Sequence, residues 1–280
     1  GIHPEEMPDG VVLGTLDRAE FIGPNESLTL RSTGIESSYE NFGFCMHRAR
    51  FDDFLRDRAE AAGATYRVGT AVRDVETDLG ADSTVGSTPG SAPGNSPRHR
   101  LSLADGETVG ADFLVLADGP QRQVTTRVLD EYLPFDVTDR LSTRKTNHIA
   151  YQEHRRLPEA VFEEVAGAIK FWWGHMPGHT AYPWIFPNDD NVARVGLTMP
   201  IGMELDDVAN RDAYPLLRPD DERIPQGREY LRRLLEQEYG DEYDVETDFP
   251  LVEDRGKSDG TETYAISSTR PIDSPTDAGI

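Results

Sequence analysis

The chain has 280 residues, enough for one large core or two lobes sharing a sheet system, and no run of about 18 apolar residues that could cross a membrane. Its 51 acidic residues against 28 basic ones leave a net charge of −23, which repels phosphates and argues against a nucleic-acid binder. The single cysteine, Cys45, excludes an internal disulfide framework, and no charged segment followed by an apolar stretch opens the chain; both predict a cytoplasmic protein, with peripheral contact at a membrane left open.

In chain order, residues 1–42 show little periodicity apart from SLTLRS (27–32), whose alternation predicts a half-buried strand. The stretch RARFDDFLRDRAEAAG (48–63) places Phe51, Phe54, Leu55, Arg58, Ala59 and Ala62 at helical spacing, with Gly63 as a stop. TYRVGTAVRDVE, rich in β-branched residues, predicts two short strands. The Gly, Ser, Pro and Asp-rich stretch after it is too polar to be core and predicts a flexible hairpin loop over 77–99. A strand is expected at RLSL (100–103). Next, DFLVLADG (112–119) carries a continuous apolar run, as in a parallel strand buried on both faces, ending in an Asp118-Gly119 turn. AIKFWW, AYPWIF and NVARVGLTMP then predict a mostly antiparallel, aromatic-rich sheet, and QGREYLRRLLEQEYG (226–240) predicts a helix. From Tyr264 the chain is strand-like and then Pro-rich. The order describes an α/β nucleotide domain interrupted by a β-rich substrate domain.

Only Lys145, Lys170 and Lys257 are lysines, and lysine scarcity together with acid excess predicts adaptation to high salt. No GxGxxG or Walker loop occurs. His175 and His179 flank Pro177-Gly178, a turn rather than a helix presenting two metal ligands, so no metal is expected. Cys45 reads as a small buried residue. Arg48 opens a helix, where the dipole disfavours a cation, so a ligand-facing role is open to it beside a plain surface role. Tyr182, Trp184 and Phe186 share one strand face by their period of two, as sheet core or as a cavity wall.

Four segments in order resemble the geranylgeranyl reductase family of FAD-dependent, hydroxylase-like flavoproteins. They are Arg48 to Leu55 against RxxFDxxL with a one-residue shift after Asp52, Ala59 to Ala64 against AxxxGA, Ala117-Asp118-Gly119, and Tyr182 to Pro187 against YxWxFP with Val195-Gly196-Leu197 after it. The tail RPIDSPTDAGI resembles the approach to the family's GDA flavin motif. The resemblance implies a GxGxxG half-domain before Gly1 and a GDA segment after Ile280, hence a fragment that is inactive alone. It implies a partial FAD-binding Rossmann-like domain (43–76 and 100–125) and a substrate-binding domain (1–42 and 126–264), with 265–280 returning toward the flavin domain.

The same resemblance implies FAD contacts at Arg48, Val72, Asp118 and Gly119, and an apolar substrate wall at Tyr182, Trp184 and Phe186. It names no catalytic residue. Reduced FAD would deliver hydride to an isoprenoid double bond in lipid biosynthesis, with NADPH or ferredoxin as donor. Two alternatives stand beside it. One is a flavin-dependent monooxygenase or halogenase, because YPWIFP is also close to the halogenases' WxWxIP. That reading is discouraged by the few lysines and by a turn, ADGPQRQV, lacking the serine and arginine that follow DG in hydroxylases. The other is a degenerate fold without flavin.

Overall fold

The computed structural model describes residues 2–32, 41–77, 97–132 and 147–267. In chain order the elements are β1 (Val12–Leu16), β2 (Arg18–Ile22), β3 (Ser27–Arg31), β4 (Gly43–Met46), α1 (Arg48–Ala61), β5 (Val72–Thr77), β6 (His99–Leu103), β7 (Thr108–Ala111) and α2 (Gln123–Tyr132). There follow β8 (Asn147–Arg156), α3 (Glu159–Val165), β9 (Ala168–Trp172), β10 (Tyr182–Pro187), β11 (Val192–Pro200), α4 (Gly227–Tyr239), α5 (Val245–Asp248) and β12 (Thr261–Ser267). They form two compact units, Gly1–Ala64 with His148–Tyr264 and Thr65–Asn147 with Ala265–Ile280.

The first unit is built on a seven-stranded sheet of order β12-β8-β11-β10-β9-β2-β3. Within it β10–β11, β9–β10, β8–β11 and β2–β3 pair antiparallel, and β2–β9 pairs parallel. Strand alternation divides the side chains between two faces. Trp172, Ile185, Ala193, Val195 and Leu197 point one way and close a core with Tyr230, Leu231, Leu234 and Leu235 of α4 and with Phe249. The helix is amphipathic as expected and begins one residue later than the sequence indicates. Arg233, on its buried side, is satisfied by Asp221 at 2.7 Å, Glu229 at 2.8 Å and the Leu216 carbonyl at 2.9 Å.

Several expectations change here. β3 is exposed along its whole length rather than half-buried, because it is the edge strand and Leu28 and Leu30 have no layer over them. α1 forms where expected, with His47 as N-cap, yet buries none of its residues. A two-stranded antiparallel ribbon, β1 with β4, precedes it.

In the second unit, β5-β6-β7 form a three-stranded antiparallel sheet. TYRVGTAVRDVE supplies one strand rather than two. The expected parallel strand at 113–117 is instead an extended segment with no ladder partner among the described residues. Leu114 and Leu116 turn inward to Val75, Val128, Val72, Leu101 and Val124, while Phe113 and Val115 remain 73% and 85% exposed. The run is apolar on both faces but packed on one. Residues 78–96 and 268–280, where a hairpin loop and the approach to a flavin motif are expected, lie outside the described residues. Among the described residues no helix is long and apolar enough to cross a membrane.

Candidate functional site

The face of the large sheet turned away from α4 carries the aromatic row. Tyr182, Trp184 and Phe186 follow one another along β10, with ring centroids 6.2 and 5.5 Å apart, the second pair stacked at 15°. The sequence places these three residues on one face, and the structure brings them together there. Neighbouring strands extend the row beyond what was expected. Phe171 meets Tyr182 at 5.7 Å and Phe186 at 5.3 Å, Phe21 stacks on Phe171 at 5.2 Å, and Trp173 lies 4.6 Å from Phe21. Phe171 and Trp173 were visible in AIKFWW, where they alternate with core Trp172; Phe21 required the β2–β9 register.

Gly196 explains how Trp184 lies flat. It pairs with Trp184 across β10–β11, and a Cβ there would stand 2.6 Å from the indole ring and 2.7 Å from the Gln152 Cβ. A glycine at the centre of a strand weakens the strand, and here it admits the ring. Trp184 is 8% exposed and its Nε1 is buried without a hydrogen-bond partner.

Polar groups continue the same face toward β12. Register aligns Phe186 with Arg194 and Arg194 with His154. Glu262 accepts from Gln152 Nε2 at 2.5 Å and from the Tyr264 hydroxyl at 2.7 Å, and stands 4.0 Å from His154 Nε2. Burial lowers the His154 pKa below its ordinary value; Glu262 opposes this, while Arg194 and Arg255 add to it. Burial, with the Glu262 hydrogen bond, pushes Tyr264 up to about 12. Cys45 is buried as expected, and burial raises its thiol although the Arg194 guanidinium beside it pulls the other way. None of this polar set could be found by motif, because it assembles only through strand pairing.

The expected cofactor residues fall in both units. Arg48, at the start of α1 in the first unit, is 77% exposed and holds Asp52 at 2.7 Å. In the second unit Val72 opens β5 opposite Leu103 and packs against the small core. Asp118 accepts from the Val124 and Thr125 amides at 2.7 and 3.1 Å and from the Thr125 hydroxyl, so its carboxylate caps α2. Burial raises its pKa, but these bonds outweigh burial and hold it below the usual value. Gly119 has φ +72°, and the position of its missing Cβ faces open space. Leu116, Asp118, Gly119, Arg122, Thr125 and Leu129 line a cleft of about 450 Å³ there. A backbone without a side chain at the lip of a cleft fits close approach by a dinucleotide, which is the arrangement FAD would need. A separate cavity of about 650 Å³ opens on the helix face of the large sheet, between Tyr151, Met199, Ile224 and Gly227.

No protein-family model matches the chain. It is similar to a geranylgeranyl diphosphate reductase of Rhodobacter capsulatus, 26% identical over 220 residues, covering 78% of this chain and 46% of that protein. Among solved structures it is similar to a geranylgeranyl bacteriochlorophyll reductase-like protein of Thermoplasma acidophilum. That match has a TM-score of 0.60 and 18% identity, and covers 94% of this chain and 53% of the other. It is also similar to a flavoprotein/dehydrogenase of Cytophaga hutchinsonii (TM-score 0.50, 14% identity, 90% and 50% covered) and to the halogenase PltM (TM-score 0.51, 12% identity, 95% and 46% covered). The chain spans about half the length of the relatives it matches, and over that half it shares the mixed α/β fold of these solved structures.

Proposed function

We propose that the chain is the sheet-bearing part of an FAD-dependent oxidoreductase that reduces isoprenoid double bonds in lipid biosynthesis. The observation that carries this reading is the aromatic row Tyr182-Trp184-Phe186, continued by Phe171 and Phe21 on one sheet face. Such a face can lie along a long hydrocarbon and exclude water from it. The likeness to a geranylgeranyl diphosphate reductase supports the same reading.

FAD, when bound, supplies the hydride; Val72, Asp118 and Gly119, beside the cleft of the second unit, are the residues that would hold it. The protein's own work is to position the alkene, and Trp184 held over Gly196 is a rigid plane for that purpose. The partner is an apolar prenyl lipid; the electron donor is NADPH or a ferredoxin.

Trp184→Phe in the complete enzyme tests this. The melting temperature and bound flavin should stay near wild type, while kcat/KM for the prenyl substrate falls up to about 100-fold from a displacement of about 1 Å. A variant that melts several degrees lower but reduces substrate normally would assign Trp184 to the core.

A flavin-dependent monooxygenase or halogenase is the second reading, supported by the likeness to PltM. Lys170 is buried between Glu164 and Glu20, away from the row, and Lys257 lies over the Tyr264 ring. NADPH-driven oxygen uptake without prenyl reduction would decide for it.

A further inference from the structure

We propose that the cavity on the helix face of the large sheet, between Tyr151, Met199, Met203 and the first turn of α4, is a second small-molecule site. Its ligand is an apolar chain ending in a carboxylate, with Arg228 holding the carboxylate. The site is separate from the aromatic row and does not rest on the reductase reading.

Shape and lining are the first observation. The cavity's volume of about 650 Å³ falls within the roughly 300–1,000 Å³ of small-molecule sites. Strand register fixes its face. Met199 pairs with Ile149, and the core residue Leu197 with Tyr151, so these side chains all point to the helix side of the sheet. Gln152 and Thr198, one position along each strand, point to the row instead. Met203 from the loop after β11 and Ile224 from the loop before α4 complete the apolar walls. Unbranched methionines adapt to an irregular hydrocarbon. The base is firm: a Cβ at Gly227 would stand 2.9 Å from the Tyr151 ring, so the helix start already rests on that ring.

Charge is the second. The chain has 51 acidic residues, yet none lines this cavity among the described residues, and Arg228 is the charged residue that does. Beneath it Glu153 is fully buried and accepts from the Tyr151 hydroxyl and from Arg155 Nε, both at 2.7 Å. Burial, and then Glu153, push the Tyr151 phenol up to about 12, so it stays neutral. Arg228 Nε stands 3.6 Å from Glu153, beyond hydrogen-bonding distance, and its side chain is 66% exposed. Two guanidinium groups therefore face one carboxylate that is already engaged, which leaves one positive charge. Arg228 also sits in the first turn of α4, where the helix dipole disfavours a cation. A ligand carboxylate would balance that charge, and its planar pair of oxygens matches the guanidinium fork. The apolar walls then take the chain behind it.

The test is a titration of the complete enzyme, carrying ¹³C-methyl methionine, with decanoate below its micelle concentration. Saturable shifts are expected at Met199 and Met203, while Met7 and Met46 hold still. Tryptophan emission should not change, because the row lies on the other face. Arg228→Gln should weaken decanoate about ten- to a hundredfold and leave decanol binding unchanged. Arg228→Lys should recover part of the loss. Arg232→Gln, one turn along the same helix and held by Glu229 and Glu236, should leave both ligands unchanged. No saturable shift at Met199 and Met203, or equal shifts at all four methionines, would overturn the site. So would a change in tryptophan emission with Met199 and Met203 unmoved, which would put decanoate on the row. Equal weakening of decanoate and decanol by Arg228→Gln, no recovery in Arg228→Lys, or equal weakening by Arg232→Gln would overturn the carboxylate assignment.

Discussion

The two units use apolar residues in opposite ways. In the first, one sheet face is sealed by α4 and a broad cluster of buried side chains, and the aromatic surplus is laid out on the other face. In the second, three buried residues make the core, and an apolar segment, 113–117, presents Phe113 and Val115 outward. Since burial contributes about 25 cal/mol per Å², the first unit has far more to hold it together. The contrast teaches that aromatic content does not locate the core here: Trp172 is core, whereas its neighbours Phe171 and Trp173 belong to the other face.

The largest effect that would sharpen this contrast is Leu234→Ala, which should cost about 2–5 kcal/mol because the site is fully buried and boxed by the sheet. Val128→Ala in the second unit removes two carbons and should cost about 1–2 kcal/mol at about 0.8 kcal/mol per methylene. All three tryptophans lie in the first unit, so their fluorescence follows that unit, and hydrogen exchange of α2 follows the other. If the two variants lowered both signals equally, the units would unfold together and the contrast would fail. Gly196→Ala comes next, at about 1–3 kcal/mol, because its methyl group overlaps the Trp184 ring. Its loss should appear with a shifted tryptophan emission; an unchanged spectrum would mean that the ring does not rest on Gly196.

How much of this was legible follows from what each element buries. β9, β10 and β11 could be read because aromatic and β-branched residues recur between turn signals, and α4, placed to within one residue, because one of its faces is apolar and the other is not. β8 was not read, although it lies between β11 and β12. Its helix-side residues are Tyr151, Glu153 and Arg155, which satisfy one another by hydrogen bonds of 2.7 Å, so it shows no apolar alternation. The 113–117 run misled for the opposite reason, since a continuous apolar run signals burial on both faces and here only one is packed. Of the site, the β10 row was legible by period two, and the Arg194-His154-Glu262 corner was not, because register alone joins residues so far apart in sequence.

Acid should separate the units further. Glu229 is held down to about 2 by Arg232 and then Arg233, although burial opposes this, and Asp221 is held below its usual value by Arg233. A depressed folded-state pKa contributes stability above the ordinary value of 4.5 that is lost as pH falls through the folded value. Tryptophan-monitored melts should therefore fall between pH 4.5 and 2, and Glu229→Gln should flatten that slope. A wild-type slope retained in Glu229→Gln would remove this pair from the account. Potassium chloride works on the whole charge: melts should rise from 0.1 to 2 M salt, the Debye length shrinking from about 10 Å at 0.1 M to about 3 Å at 1 M, and a flat profile would argue against salt adaptation.

A smaller change is expected from Asp118→Ala, about 1 kcal/mol, confined to exchange of α2, since the carboxylate caps the Val124 and Thr125 amides. Loss of bound flavin in the complete enzyme beyond that change would give Asp118 a second role at the cleft.

The smallest effect belongs to the outward side of 113–117. Phe113→Ser with Val115→Thr alters side chains that are 73% and 85% exposed, on a backbone that pairs with no strand among the described residues. Exposed positions without such pairing change stability by no more than about 0.5 kcal/mol. Leu114→Ala, one residue away but turned inward onto Val75 and Val128, should cost several times more. The informative quantity is the ratio of the two effects, read by hydrogen exchange of β5 and α2. A large ratio means that the segment is packed on one side only and that the second unit's core is as small as described. If instead the double variant destabilised the unit as much as Leu114→Ala, Phe113 and Val115 would be covered in the protein in solution. The second unit would then own a second apolar layer, and the asymmetry between the two units would shrink to a difference in size.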